Sequence, residues 1–376
     1  MMKQLSLLAD QIIDERLKNP KSDFRAWRSN VDTVDESQLA KAYVALIQAL
    51  QNKSVDLRPI VTKAGAPLLS LGLDRPEQAI CHPAKGLELA TLWQLIGCLA
   101  KDSQLFQIGV NAEQFIRTFT DRYKRPFTGI WTQEGDVKTY IPSPSITRLL
   151  EKSNIKKQPE LMRCSDPELG CALHHGKDMS MAFTMTGWGS GVGSIMRQDV
   201  GIIAMGPQAA PFEDASRFGI HFTPAVVGDV SEHNPLPGTR VDERGHLFTF
   251  NGWTRSIFDN NHLWCHLSAQ LDKVLDLKMQ FLDLKGSEVS IAMAVKADAV
   301  RVGDKLELMT GSLKQYRGDV VPVALEGKSS QLVMLPKGGS QMRIVPLAGD
   351  ESCWQADFLI LYLLDGDRPE ISWTIN

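Results

Sequence analysis

The hydrophobic period of this chain changes once along its length. Up to about residue 150 apolar residues recur every three to four positions, and beyond about 160 they recur at every second position. A period near 3.6 buries one stripe of a helix, whereas a period of two buries one face of a strand, so the two parts call for different architectures. The change falls on residues 152–160 (KSNIKKQPE), a polar, charged stretch containing Pro159. The pattern therefore predicts an α and β multidomain protein: an α-helical N-terminal domain over 1–155, followed by a large antiparallel β-sandwich over 156–376.

Within the first part, Leu5, Leu8, Ala9, Ile12 and Ile13 form one apolar stripe, and Leu39, Ala42, Tyr43, Leu46, Ile47 and Leu50 form another. Asp35 with Gln38 has the form of a capping box and starts the second of these helices near Glu36. Two further helices are predicted at 83–101, carrying Leu89, Leu92, Trp93, Ile96 and Leu99, and at 107–123, carrying Val110, Phe115, Ile116 and Phe119. Pro83 suits a first-turn position, and Ser145 caps a short helix over 146–151. Residues 127–141 interrupt the helical pattern. Ile130, Trp131, the turn Glu134-Gly135-Asp136, Val137 and Tyr140 read as a hairpin-like insertion, and loops held on a rigid scaffold are where binding residues concentrate.

In the second part, Leu275, Leu277, Met279 and Phe281 alternate with Asp276, Lys278 and Gln280, and Val289, Ile291, Met293 and Val295 alternate with small or polar residues. Met342 and Ile344 alternate more briefly, Phe358 to Leu364 reads as a buried strand, and the chain ends in a strand at 371–375. Turn signals at 285–287, 302–304 and 337–339 separate these runs.

Composition narrows the class of function. With 376 residues the chain can bury a core without a disulfide or metal staple, and 43% hydrophobic with 23% charged residues excludes a disordered or fibrous chain. The 41 basic and 44 acidic side chains give no global field for nucleic acid or an anionic membrane, so neither is an expected partner. Residues 1–19 carry six charged side chains and no apolar h-region, and no apolar run reaches the length of a membrane helix. A cytoplasmic protein is expected. Its six cysteines form no CxxC pair and are read as reduced thiols, with Cys164 and Cys171 able to pair only if they face each other across a hairpin.

Seven of the eight histidines follow residue 170. The first two, His174 and His175, are adjacent, so in a strand they point to opposite faces and only one can look into a given cleft. Each is either an ordinary hydrogen-bonded histidine or a general base. His262 and His266 share a face in a strand or a helix, which allows a metal pair, but no HExxH glutamate or third ligand accompanies them, and no metal or cofactor is expected. The glycine-rich stretch 187–194 (GWGSGVGS) lacks the spacing of a dinucleotide or phosphate loop and reads as a strand edge or bulged hairpin beside Trp188. No GxSxG elbow is present.

The run from Met179 to Gln208 (MSMAFTMTGWGSGVGSIMRQDVGIIAMGPQ), together with the order of a helical domain before a sandwich, resembles the polysaccharide lyases of the heparinase II/III type. The resemblance implies a carbohydrate-active protein acting on an acidic glycan, with β-elimination as its reaction. A lyase of this kind abstracts a proton α to a uronate carboxylate, needing a base, an acid and a partner for the carboxylate. On that reading Tyr140 is acid or base, His174 or His175 is the base, Arg197 meets the carboxylate with its planar donors, and Trp131 and Trp188 hold the sugar. A non-catalytic carbohydrate-binding or scaffold protein is the alternative, and a metal-dependent hydrolase a third reading.

Overall fold

The structure, a computed structural model, describes residues 87, 90, 91, 93–95, 97, 98, 101–124, 144–153, 155, 162–166, 171–184, 193–208, 247–255, 262–282, 289–304, 306–347, 356–364 and 369–376. The helices expected before residue 50 and the 127–141 insertion, with Trp131 and Tyr140, lie outside the described residues, as does Trp188. The chain divides into two compact units, one of Met1–Arg117 with Lys138–Met162, the other of Thr118–Val137 with Arg163–Asn376.

In the first unit, helix α1 spans Ser103–Thr118 and helix α2 spans Pro144–Glu151. Helix α1 starts four residues earlier than its apolar period suggests because Asp102 caps it. The Asp102 carboxylate accepts from Gln104 N at 2.9 Å and its carbonyl from Phe106 N at 3.1 Å. Trp93, Phe106, Phe115 and Ile116 are buried. Among the described residues no helix is long and apolar enough to cross a membrane.

The second unit is built on two sheets. The first has nine strands in the spatial order β1, β2, β3, β4, β5, β9, β16, β15, β12. Its first five are Met162–Asp166 (β1), Cys171–His175 (β2), Ser180–Thr184 (β3), Gly193–Arg197 (β4) and Val200–Gln208 (β5). The others are Val289–Lys296 (β9), Phe358–Leu364 (β16), Gln341–Pro346 (β15) and Tyr316–Gly318 (β12). The second sheet has eight strands in the order β11, β10, β13, β14, β17, β8, β7, β6. These are Leu306–Met309 (β11), Ala299–Val302 (β10), Val323–Glu326 (β13), Gln331–Gly338 (β14), Glu370–Ile375 (β17), Leu275–Leu282 (β8), His262–Leu271 (β7) and Leu247–Arg255 (β6). From β2 to β12, and from β11 to β6, every neighbouring pair is antiparallel.

The sheets share one apolar core. Met181, Phe183, Ile195, Ile202, Ile291, Met293, Ile360 and Tyr362 from the nine-stranded sheet join Leu267, Leu277, Met279, Phe281, Leu325, Met334 and Trp373 from the other. Fully burying side chains of this size stabilises by about 1.5–3 kcal/mol each. The outer faces differ. In β17 the residues between the core positions, Glu370, Ser372 and Thr374, are exposed or half-buried. In β9 all eight residues are buried, and in β16 all but Leu363. The middle of the nine-stranded sheet is thus covered on both faces.

Candidate functional site

The run that carries the lyase resemblance folds, in its described part, into β3, β4 and β5, three consecutive antiparallel neighbours. The glycine-rich stretch ends at Gly193 and Ser194, which open β4, and the β4–β5 ladder shifts register between Gly193 and Ile195. This is a bulged hairpin strand rather than the start of a helix, and the Ser194 hydroxyl donates to the Ile203 carbonyl at 2.5 Å.

His174 and His175 end β2, where the hairpin turns into β3. His174 pairs with Met181, whose side chain belongs to the inter-sheet core, so His174 points to that side of the sheet. A Cβ on Gly176 would lie 2.5 Å from His174 Nε2, so the ring folds over a position that only glycine leaves open. His175 points to the other face. It is buried, its Nδ1 shares a 2.8 Å hydrogen bond with the hydroxyl of its strand partner Ser180, and burial holds its pKa below the usual histidine value. A neutral imidazole bonded to a hydroxyl is chemically a base beside a nucleophile, but both groups are buried here.

Arg197 closes β4. It follows Met196, which pairs with Ser180 and so shares the face of His175. Arg197 is therefore on the opposite face from His175, on the side of the sheet that meets the eight-stranded one. Its Nη1 donates to the Gln331 carbonyl at 3.2 Å, and its own carbonyl accepts from the Ser330 hydroxyl at 2.9 Å. Beside it, Asp199 accepts from Ser329 N at 2.9 Å and from the Ser330 hydroxyl. Burial raises the Asp199 pKa, but the hydrogen bonds from Ser330, Ser329 and Lys328 outweigh it and leave the carboxyl below its ordinary value. The two residues clasp the β4–β5 turn to the β13–β14 turn across the sandwich. His174 shares the face of Arg197 but stands two strands away, about 10 Å across the sheet, with β3 between them.

On the covered face a single row runs through His175, Ser180, Met196, Gly201 and Lys296, each paired with the next. At its end lies a charged cluster that periodicity does not reveal. Lys296 Nζ donates to the Thr120 carbonyl at 2.5 Å. Arg122 reaches Asp298 Oδ1 with Nη2 and Asp357 Oδ1 with Nε, both at 3.1 Å. The Asp357 contact is an ion pair without hydrogen-bond alignment, while Asp357 Oδ2 accepts from Ala297 N at 3.0 Å. The Asp357 side chain is 1% exposed, against 26% for Arg122 and 41% for Asp298. Burial pushes the Asp357 carboxyl up to about 6, against the pull of Arg122 and the Ala297 hydrogen bond. Burial also lowers the Lys296 ammonium, opposed by Asp121, Asp357, Asp199 and Asp298. Each group is already engaged by backbone or counter-charge, so the cluster fixes the segment Thr118–Lys124 on the ends of β9 and β16.

Among the described residues no group of three histidine, cysteine or acidic side chains is placed to hold a metal. His266 lies in β7, half-buried, its pKa lowered by burial and then by Lys278.

No family model and no curated protein matches the sequence. Solved structures with a similar chain path include heparinase III, at 8% identity and a TM-score of 0.42, over 92% of this chain and 60% of that one. The heparan sulfate lyase of Pedobacter heparinus is similar at 9% identity and a TM-score of 0.38, over 93% of this chain and 60% of that one. A protein assigned as a mutarotase from Salmonella typhimurium is similar at 8% identity and a TM-score of 0.36, over 58% of this chain and 94% of that one. The weak resemblance to heparinase-type lyases read from the sequence thus recurs among solved structures. This chain spans about 60% of the length of the two lyases. Scores this low carry over neither an activity nor a site.

Proposed function

We propose that the chain is a carbohydrate-active protein of polysaccharide-lyase-like architecture, with an acidic glycan as its ligand and β-elimination as the reaction to be tested. The observation that supports this reading is that the described part of the 179–208 run forms consecutive antiparallel strands of a two-sheet sandwich. In the reaction a base removes the proton on the carbon bearing the uronate carboxylate. The electron pair left behind forms a carbon–carbon double bond as the neighbouring C–O bond breaks, and an acid returns a proton to the leaving oxygen. The residues proposed for these roles are Tyr140 as acid or base, His174 or His175 as base and Arg197 for the carboxylate, with Trp131 and Trp188 as sugar-stacking groups.

The opposed directions of His175 and Arg197, and the commitment of Arg197 to the β13–β14 turn, favour a second reading in which the protein binds a glycan without cleaving it. One pair of assays separates them. Incubation with uronic-acid polymers, followed by ultraviolet absorbance of the unsaturated product, detects the lyase, and Tyr140→Phe should abolish that signal. Binding of the same polymers with no absorbance change selects the second reading. Neither binding nor turnover across uronate polymers would overturn both.

A further inference from the structure

We propose that the outer face of the eight-stranded sheet, across β7, β8, β17 and β14, is a binding surface for an extended neutral oligosaccharide. It is a second site, on the sheet opposite β3, β4 and β5, and it stands whether or not the chain cleaves an acidic glycan.

The face is assembled by register. Leu267, Leu277, Met279 and Trp373 lie in the inter-sheet core, so the residues that alternate with them share the opposite face. Three rows cross the strands there. Gln270 pairs with Asp276, Asp276 with Thr374, and Thr374 with Leu335. Ser268 pairs with Lys278, Lys278 with Ser372, and Ser372 with Lys337. His266 pairs with Gln280, and Gln280 with Glu370. All of these residues are exposed or half-buried, unlike the covered middle of the nine-stranded sheet. At about 4.8 Å per strand a row of four spans about 14 Å, the reach of an oligosaccharide rather than of a single sugar. By register the next row is Trp264 with its partners Trp253 of β6 and Leu282 of β8, which sets two tryptophan positions side by side at the end of the polar rows.

The chemistry of the rows selects the ligand. Lys278 and Lys337 balance Asp276 and Glu370, so the three rows have no field for a polyanion. The charges are also held locally: Lys278 Nζ lies 2.9 Å from Glu370 Oε2, and Asp276 Oδ1 accepts from the Thr374 hydroxyl at 2.7 Å. Leu335, at 42% exposure, is the one large apolar side chain in these rows, too little for the core of a protein interface. What remains is a flat array of amides and hydroxyls that both donate and accept, fixed in spacing by the ladder before any ligand arrives. A neutral sugar chain presents the complement. Its hydroxyls donate and accept, and its C–H faces lie flat on indole rings, for which Trp253 and Trp264 hold the adjoining positions.

Affinity electrophoresis of the full chain tests this, in native gels containing hydroxyethylcellulose, galactomannan or polygalacturonate. Retardation by at least one of the two neutral polymers is expected, and added salt should not change it, since no net charge is neutralised. Replacing both glutamines, Gln270→Ala with Gln280→Ala, removes two hydrogen-bonding groups without touching the core and should weaken the retardation about ten-fold. Arg301→Ala, on the same sheet but outside these rows, should leave it unchanged. Absence of retardation by both neutral polymers would overturn the proposal. So would retardation that is undiminished in the glutamine variant or lost equally in Arg301→Ala. Retardation by polygalacturonate alone, abolished by salt, would also overturn it. The ultraviolet assay for an unsaturated uronate product is read separately, so failure of this face and failure of the lyase reading are told apart.

Discussion

Lys296 is the residue whose removal should cost the sandwich most for its size. Its ammonium is buried at the end of β9, donates to the Thr120 carbonyl, and feels the charges of Asp121, Asp357, Asp199 and Asp298. Replacing it with methionine keeps the length of the stem but leaves the Asp357 and Asp121 carboxylates short of one positive charge. Breaking a buried pair by removing one partner costs about 3–5 kcal/mol, and because Arg122 still faces Asp357 the low end, about 3 kcal/mol, applies. Asp357→Asn alone should be within about 1 kcal/mol of the unaltered chain at pH 7.5, since it removes a charge whose burial is itself unfavourable. In the double variant Lys296→Met no longer strands that carboxylate, so the coupling energy should be about 1–2 kcal/mol. Urea unfolding of the four proteins measures this as a shift of midpoint at constant slope, and thermal unfolding should show about 2–4 °C per kcal/mol for a unit of this size. A Lys296→Met midpoint equal to that of the unaltered chain, or additive effects in the double variant, would refute the account of the cluster.

Two further outcomes follow from the covered face of the nine-stranded sheet. His175 is held neutral by burial, so its contribution to stability is fully present above the ordinary histidine value of 6.5 and is lost as pH falls towards its lowered folded value; His175→Gln should remove that acid-side loss in melting temperature. A Cβ on Gly201 would sit 2.3 Å from the Ile195 carbonyl oxygen and 2.5 Å from Met196 Sδ, so Gly201→Ala should destabilise by about 1–3 kcal/mol. Shortening Met196 to alanine in addition should not restore the midpoint, because the Ile195 contact is backbone.

Strands β8 and β9 were legible because their interior positions alternate strictly, each running one residue beyond the apolar positions that mark it, and β16 was legible as the unbroken apolar run Phe358 to Leu364. Helix α1 was legible in type but not in start, since Asp102 was not read as its cap. The charged cluster was not legible. Lys296 and Asp357 are far apart in the sequence and meet because β9 pairs with β16, a choice of partner that no local period encodes. Arg122 falls inside the helix expected over 107–123, whereas α1 stops at Thr118 and Arg122 pairs with Asp298. The one available signal was a lone charge at the end of each apolar strand.

The β9 pattern also shows why alternation by itself does not reveal what faces water. Its second face reads Ser290, Ala292, Ala294, Lys296, which in sequence resembles the solvated side of a strand. Those residues are buried to 4%, 0%, 2% and 7% exposure, while the corresponding side of β17, with Glu370, Ser372 and Thr374, is open or half-open. The difference is one of size and charge. Serine and alanine are small enough to be covered closely and ask little in hydrogen bonds, whereas that face of β17 carries a polar group at every position, Glu370, Ser372 and Thr374, which keeps water near. A strand alternating large apolar with small residues can therefore be buried on both faces, and a charge that ends its small face, as Lys296 does, must find carboxylates and carbonyls there. This is the physical reason that the cluster stands at the end of the covered face of the nine-stranded sheet.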